Sequence, residues 1–420
     1  MKRFTAALIV LIMISGIFIT GCTNDENNVT DNSESVINYS TDMQITYHTT
    51  GANVPMTKSD KGYYYVGGDG IVIFVDKESK KATPLCTKPN CLHDDPESCD
   101  AYFNFSLNNT ADSAVGVTHT VIQYNEGSLY MVCGEYDESY TKYRQYLLKT
   151  NTDGTNRERV TDYLEHSFTD WFIHRGYLYY TTDSSICRRP LDALKSEPEV
   201  LFEAENHIED DMNTFHGLCA YDNYMYCIVE EKEDYETFLE TYNICINLDT
   251  LEVKRLRDDN EQDISPLSFF EDKFVCISFG VGKANYQKRD LNGEKPTELF
   301  SINQNEVQTF SSDGRYIYWD NNSESVVGKA DKQIIKIYDL NMNQVDSFTF
   351  EGIGNGHCNF FNPQDNEYFL LESTDDDGNR ILVMADKSQI GSIGGKTIKY
   401  TELCKLDWAK DKEKYYEAAK

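Results

Sequence analysis

Gly176-Tyr177-Leu178-Tyr179-Tyr180 reads as a turn residue followed by an aromatic-rich strand, and the same pattern recurs along the chain. It stands as Gly62-Tyr63-Tyr64-Tyr65, Gly127-Ser128-Leu129-Tyr130, Asn223-Tyr224-Met225-Tyr226 and Asp272-Lys273-Phe274-Val275. It stands again as Gly314-Arg315-Tyr316-Ile317-Tyr318 and Asn366-Glu367-Tyr368-Phe369-Leu370. The seven turn residues are 65, 49, 47, 49, 42 and 52 positions apart. Most units add a second hairpin downstream, as at Phe74-Val75-Asp76-Lys77, Leu248-Asp249-Thr250-Leu251 and Tyr338-Asp339-Leu340-Asn341. Asp, Asn and Gly there supply the positive φ angles that tight hairpins need. About four strands in a period of 40–50 residues is the mark of a propeller blade. The expectation is an all-β chain, a β-propeller of about seven four-stranded blades over residues 44–405, with one domain and no linker. Residues 406–420 read as a C-terminal helix or tail.

The long first gap contains an insertion at about 86–105, which carries Cys86, Cys91, His93 and Cys99 in a C-x4-C-x-H-x5-C arrangement. Three thiols and one imidazole are the donor set of a closed tetrahedral zinc site. Two other readings stay open: a disulfide between two of the three, or unpaired thiols. Eight more cysteines, Cys133, Cys187, Cys219, Cys227, Cys245, Cys276, Cys358 and Cys404, are dispersed in or beside apolar strand runs, where cysteine behaves as a small buried hydrophobe. With Cys22 set aside, eleven remain, an odd number that speaks for thiolate–metal chemistry over a full set of cystines.

Composition limits the functional classes. There are 39 basic and 70 acidic side chains, a net charge of −31, in 420 residues. That disfavours nucleic acid as a partner, because nucleic-acid binders present a basic face. It also disfavours adhesion of the body to anionic lipid. The 40% of apolar residues is ample for a large core.

The first residues address the chain to a compartment. Lys2 and Arg3 precede an apolar run from Ala6 to Ile19, which ends in Ile19-Thr20-Gly21-Cys22. The charged start, short apolar run and small final residues read as a signal peptide over 1–21. Residues 22–43 are polar and too poor in apolar groups to fold. As a flexible tether they would span roughly 25 Å.

Ile19-Thr20-Gly21-Cys22 resembles the bacterial lipoprotein signal, which implies lipidation at Cys22 and a location on the extracellular face of the cell membrane. Leu85-Cys86-Thr87-Lys88-Pro89-Asn90-Cys91-Leu92-His93, with Cys99 following, resembles a signature in uncharacterised propeller-type surface lipoproteins of anaerobic Firmicutes. The repeated body is more loosely similar to TolB-like propellers. The resemblance implies a fold and a location and supplies no catalytic residue.

Other local patterns give way on inspection. There is no H-E-x-x-H and no G-x-S-x-G. Gly391-Ser392-Ile393-Gly394-Gly395-Lys396-Thr397 falls one residue short of a phosphate loop and sits among strands, so a turn is expected. Gly352-Ile353-Gly354-Asn355-Gly356 lacks dinucleotide spacing. Asp375-Asp376-Asp377-Gly378-Asn379 lacks the alternation of a calcium loop. His119, His166, His216 and His357 fall near the starts of repeats, where side chains can approach a propeller channel. Most Tyr and Phe are expected to fill the interfaces between blades.

The expected function is a membrane-anchored extracellular lipoprotein whose propeller binds a small-molecule, glycan or protein ligand without catalysis. The alternatives are a propeller enzyme acting on carbohydrate or peptide, and a scaffold of an envelope complex.

Overall fold

The strands found in a computed structural model of the chain form seven four-stranded antiparallel sheets in a ring, a seven-bladed β-propeller. The structure describes residues 43–406 except 46, 49–51, 54, 68–69, 96–97, 104–120, 137–142, 164–169, 207–213, 235–237, 304–308, 321–333, 350–358, 362–366 and 375–378. Cys22, Cys358, His119, His166, His357, the Gly352–Gly356 run, most of the Asp375 run and the tail after Leu406 lie outside the described residues. All described residues belong to one unit, Ile37–Lys420.

Each blade is a meander whose strands pair in chain order. Blade 1 is Met56–Lys58, Gly62–Val66, Val72–Asp76 and Lys81–Pro84. Blade 2 is Ile122–Asn125, Ser128–Tyr136, Tyr143–Asn151 and Glu158–Arg159, and blade 3 is Trp171–His174, Tyr177–Thr181, Ser185–Pro190 and Glu199–Glu203. Blade 4 is Phe215–Tyr221, Tyr224–Lys232, Phe238–Asn247 and Val253–Arg255, and blade 5 is Ile264–Phe270, Lys273–Gly280, Lys283–Asp290 and Thr297–Asn303. Blade 6 is Thr309–Ser312, Ile317–Asp320, Ile334–Tyr338 and Gln344–Thr349, and blade 7 is Asn359–Phe361, Tyr368–Thr374, Arg380–Asp386 and Tyr400–Lys405. First strands lie against one another between blades 1 and 2, 2 and 3, 3 and 4, and 5 and 6, so they line the ring's interior.

The repeated sequence pattern is therefore the turn into the second strand of every blade. Glu126-Gly127 and Arg175-Gly176 close two-residue hairpins with positive φ at both positions, 44° and 83° in the first and 46° and 79° in the second. Such turns match the twist of the paired strands, and glycine takes the second position without steric cost. The acidic Glu230–Glu240 span, expected as an extended hairpin outside the blades, belongs to blade 4: residues 230–232 end its second strand and residues 238–240 begin its third, with Glu230 opposite Thr241 and Glu231 opposite Glu240.

The core lies between blades. Period 2 sends alternate side chains of one strand to opposite seams. Tyr63 and Tyr65 enter the seam between blades 7 and 1, while Tyr64 and Val66 enter that between blades 1 and 2. Leu178 and Tyr180 pack toward blade 2, and Tyr179 toward blade 4. Both faces of these strands are buried, which is why they read as continuous apolar runs. Further clusters join blades 4 to 5, 5 to 6 and 6 to 7, so every adjacent pair is packed. Tyr63, Tyr65, Tyr179, Tyr221, Tyr286 and Tyr318 are among the largest fully buried side chains. Most of the aromatic excess thus fills interfaces, as expected.

Two features connect distant parts of the ring. The strand Met43–Ile45 pairs antiparallel with the first strand of blade 4, Met43 opposite Tyr221 and Ile45 opposite Cys219. The Gly391–Thr397 stretch is a turn, and it does offer backbone N–H groups to an anion. That anion is the carboxylate of Asp346 in blade 6, which accepts from Gly391 at 2.7 Å, Ile393 at 3.0 Å and Gly394 at 2.8 Å. Burial would raise the Asp346 carboxyl, but these N–H bonds hold it below the usual range.

Candidate metal centre

A four-stranded meander puts alternate turns at alternate ends. The turns after the first and third strands share one face. The turns after the second strand share the other face with the connections between blades. The Cys/His insertion follows the last strand of blade 1 and packs beside the third turn of blade 2, residues 152–157. It returns to its own blade through a bridge between Ile71 and Tyr102, with Val72 N–H donating to Ala101 O at 2.9 Å.

Within the insertion the structure brings Cys86, Cys91, His93 and Cys99 together: one donor atom from each lies within 4.8 Å of the other three. His93 Nδ1 is 3.3 Å from Cys99 Sγ. An ion with sulfurs at about 2.3 Å and a nitrogen at about 2.0–2.1 Å would space its ligand atoms about 3.5–3.8 Å apart in a tetrahedron. The four donors are within about 1 Å of that arrangement. No disulfide joins any of the ten described cysteines. The residues present fit a tetrahedral, zinc-type ion, and the four donors would suffice for its coordination sphere.

Local chemistry shapes the loop. Asn90 and His93 both adopt left-handed backbone, φ 61° and 58°, which folds a short segment back on itself. The backbone N–H of Ala101 donates to Cys99 Sγ at 3.4 Å. Burial pushes the Cys86 thiol up, but N–H groups of Lys88 and Asp100 and the thiols of Cys91 and Cys99 outweigh it and leave it below its ordinary value. Burial also pushes the Cys99 thiol up to about 12 and lowers His93, so the imidazole is kept neutral, the form that ligates metal. Lys88 Nζ ties the two ends of the loop, donating to Ser98 O at 2.6 Å and pairing with Asp100 Oδ1 at 2.7 Å. Tyr102 Oη donates to the carbonyl of His93 at 3.2 Å. Arg157 reaches across from blade 2, donates to Asp100 O and stacks 3.8 Å over Phe103. Sequence reading found the four donors by spacing. It missed Lys88, Asp100 and Arg157, because nothing local marks a contact between residues 100 and 157.

The dispersed thiols differ in kind. Cys133, Cys187, Cys227, Cys245 and Cys276 are buried, and Cys219 and Cys404 half-buried. Burial pushes Cys133, Cys219, Cys245, Cys276 and Cys404 up to about 12, so they stay protonated and inert.

Of the four sequence-flagged histidines, His216 is described. It lies on the first strand of blade 4, with Nε2 3.5 Å from Glu230 Oε2; Lys232 Nζ is 3.6 Å from the same oxygen. Nearby, Asp170 is wholly buried at the blade 3–4 seam and accepts from Leu218 N–H at 3.3 Å. Burial raises its carboxyl to about 6, against weaker lowering by the Leu218 N–H and by His216. The folded state therefore holds this proton up to about pH 6, whereas the unfolded chain releases it near 3.8. Folded protein binds more protons in that window, so this group's contribution to stability falls as pH rises through it. Asp170→Asn removes the titration. Its stability relative to wild type should rise by on the order of 2–3 kcal/mol between pH 4 and pH 7. Urea melts at both values check this, and a pH-independent difference would refute it.

No protein-family model matches the chain, and no curated protein matches it in sequence. Solved structures do. Dipeptidyl peptidase 4 from Porphyromonas gingivalis matches at 10% identity and TM-score 0.41, over 88% of this chain and 54% of that one. Prolyl oligopeptidase B from Galerina marginata matches at 11% identity and TM-score 0.47, over 82% of this chain and 49% of that one. A TolB structure from Agrobacterium tumefaciens matches at 12% identity and TM-score 0.36, over 67% of this chain and 90% of that one. The chain thus spans about half the length of the two peptidases. No residue role is carried over from any of them.

Proposed function

We propose that this chain is a lipid-anchored protein of the extracellular membrane face, whose propeller binds a small-molecule, glycan or protein ligand on one face without catalysis. The insertion holds a structural zinc-type ion. The observation that carries the reading is the length of the connections between blades: 85–121, 160–170, 204–214 and 256–263 are long, whereas the first turns of blades 2 to 5, 126–127, 175–176, 222–223 and 271–272, are two residues each. Long connections on a rigid scaffold are where recognition is built. The acids in these connections, among them Asp258 and Asp259, favour a neutral or cationic ligand. Four protein donors leave no position for a substrate or water on the ion, which is the structural and not the catalytic form of such a site.

Two measurements test the reading. Cells fed labelled palmitate should mark the protein, and Cys22→Ala should remove the mark; an unlabelled wild type ends the anchor. Protein purified without oxygen should carry about one metal ion per chain, as a closed four-ligand site implies. A folded, metal-free protein ends the metal centre. Binding itself is read by an array of glycans and peptides.

The pairing of His216 with Glu230, close to the buried Asp170, favours a second reading, hydrolysis of peptide or carbohydrate. Turnover of such substrates that is lost in His216→Asn would replace the first reading with this one.

A further inference from the structure

A ring must join its last blade to its first. Blade 7 is built wholly from residues 359–405 and blade 1 from residues 56–84. Among the described residues no strand from one end of the chain completes the sheet at the other end. Of the strands that precede blade 1, Met43–Ile45 pairs with blade 4, and Tyr47–His48 and Ala52–Asn53 pair with each other. The closing seam therefore has no backbone ladder across it and relies on side chains. Among its surface contacts are Lys77 and Glu367 at 3.9 Å, both solvent-accessible, and Lys80 5.1 Å over the Tyr368 ring. Exposed pairs of this kind contribute little.

The insertion adds to the core of this seam. Cys99, Ala101 and Tyr102 are buried in one cluster with Met56, Tyr63, Ile73 and Val75 of blade 1 and Leu370, Leu382 and Met384 of blade 7. Cys86 and Cys91 pack against the same cluster. On its other side the insertion contributes Phe103 to the seam between blades 1 and 2, beside Leu129 and Met131. The described residues of 85–103 have no regular secondary structure beyond the single bridge at Tyr102, and two of them hold left-handed backbone. Such a segment is held by individual side-chain contacts and not by a strand ladder. Tetrahedral coordination would hold it at four points, three of which touch the seam.

We propose that the ion bound by Cys86, Cys91, His93 and Cys99 is the clasp that closes the ring, fixing the insertion as a wedge between blades 7 and 1. The inference rests on the metal reading above and goes beyond it. Coordination serves the joint between the chain's two ends, and not the loop alone.

Hydrogen exchange on the full-length protein, metal-loaded and after chelation under reducing conditions, tests it. Removal of the ion should accelerate exchange at least about tenfold in two segments far apart in sequence, 62–76 of blade 1 and 368–386 of blade 7. Segments 224–247 and 273–290, on the opposite side of the ring, should be unchanged. His93→Cys, which restores a four-donor set, should keep both the ion and the protection. Faster exchange confined to 85–103 would overturn the clasp and leave the metal centre standing. Uniform loosening of all seven blades would overturn it too. Failure of the purified protein to bind zinc or cobalt would remove the metal reading itself, and the clasp with it.

Discussion

Lys387→Met is expected to lower stability by about 3–5 kcal/mol, the cost of leaving a buried charge without its partner. Lys387 Nζ lies 2.6 Å from Asp313 Oδ2, and the two side chains are 2% and 0% exposed. Asp313 sits in the first turn of blade 6 and Lys387 in the third turn of blade 7, so the pair crosses the 6–7 seam. The carboxylate is fully engaged. Tyr318 Oη donates to Oδ2 at 2.5 Å, and the N–H groups of Arg315 and Tyr316 donate to Oδ1 at 2.9 and 2.8 Å. The ammonium also lies 5.0 and 4.7 Å from the centres of the Tyr318 and Phe369 rings. Methionine keeps most of the volume and removes the charge, so cavity formation adds little. Urea melts provide the reading. Lys387→Met combined with Asp313→Leu should recover a large part of the loss, because the penalty belongs to the unpaired charge and not to the missing bond. A single-variant loss below about 1 kcal/mol, the range of exposed pairs, would mean that water reaches this seam.

The blades were legible because each repeats the same local chemistry. A turn starts an aromatic strand at 62, 127, 176, 223, 272 and 314, with positive φ in the turns at 126–127, 175–176, 222, 271 and 314, and period-2 alternation does the rest. The turn chemistry was legible only in part. Gly127 and Gly176 announce it, whereas the preceding Glu126 and Arg175 also take positive φ and carry no sign of it. Contacts between blades were not legible. Asp313 with Lys387, Asp346 with the Gly391–Gly394 backbone, and Met43–Ile45 with blade 4 join positions 45 to about 180 residues apart. No local pattern encodes which seam a buried side chain will meet. The same limit applied to the metal centre. Its donors lie within 14 residues, so spacing revealed them. Its place at the closing seam depends on Leu370, Leu382 and Met384, nearly 300 positions downstream.

Cys99→Ser should do what Cys276→Ser does not. Both thiols are buried, 4% and 0% exposed, so packing and the desolvation of a new hydroxyl weigh about equally on the two variants. That shared cost is about 1–3 kcal/mol. Only Cys99 stands among other donors, beside His93 Nδ1 and within reach of Cys86 and Cys91. Losing a direct ligand should weaken the ion by at least about a hundredfold, since even partners one shell further out cost 10–100-fold. Ion binding stabilises the folded state by mass action. At metal concentrations that saturate the wild type, a hundredfold loss of affinity costs about 2.7 kcal/mol. Cys99→Ser is therefore expected to fall below wild type by roughly twice as much as Cys276→Ser in urea melts with zinc present. A chelator should lower wild type and Cys276→Ser by the same increment and leave Cys99→Ser where it was. Equal losses in the two variants, with no effect of chelator on either, would reduce Cys99 to one more buried thiol.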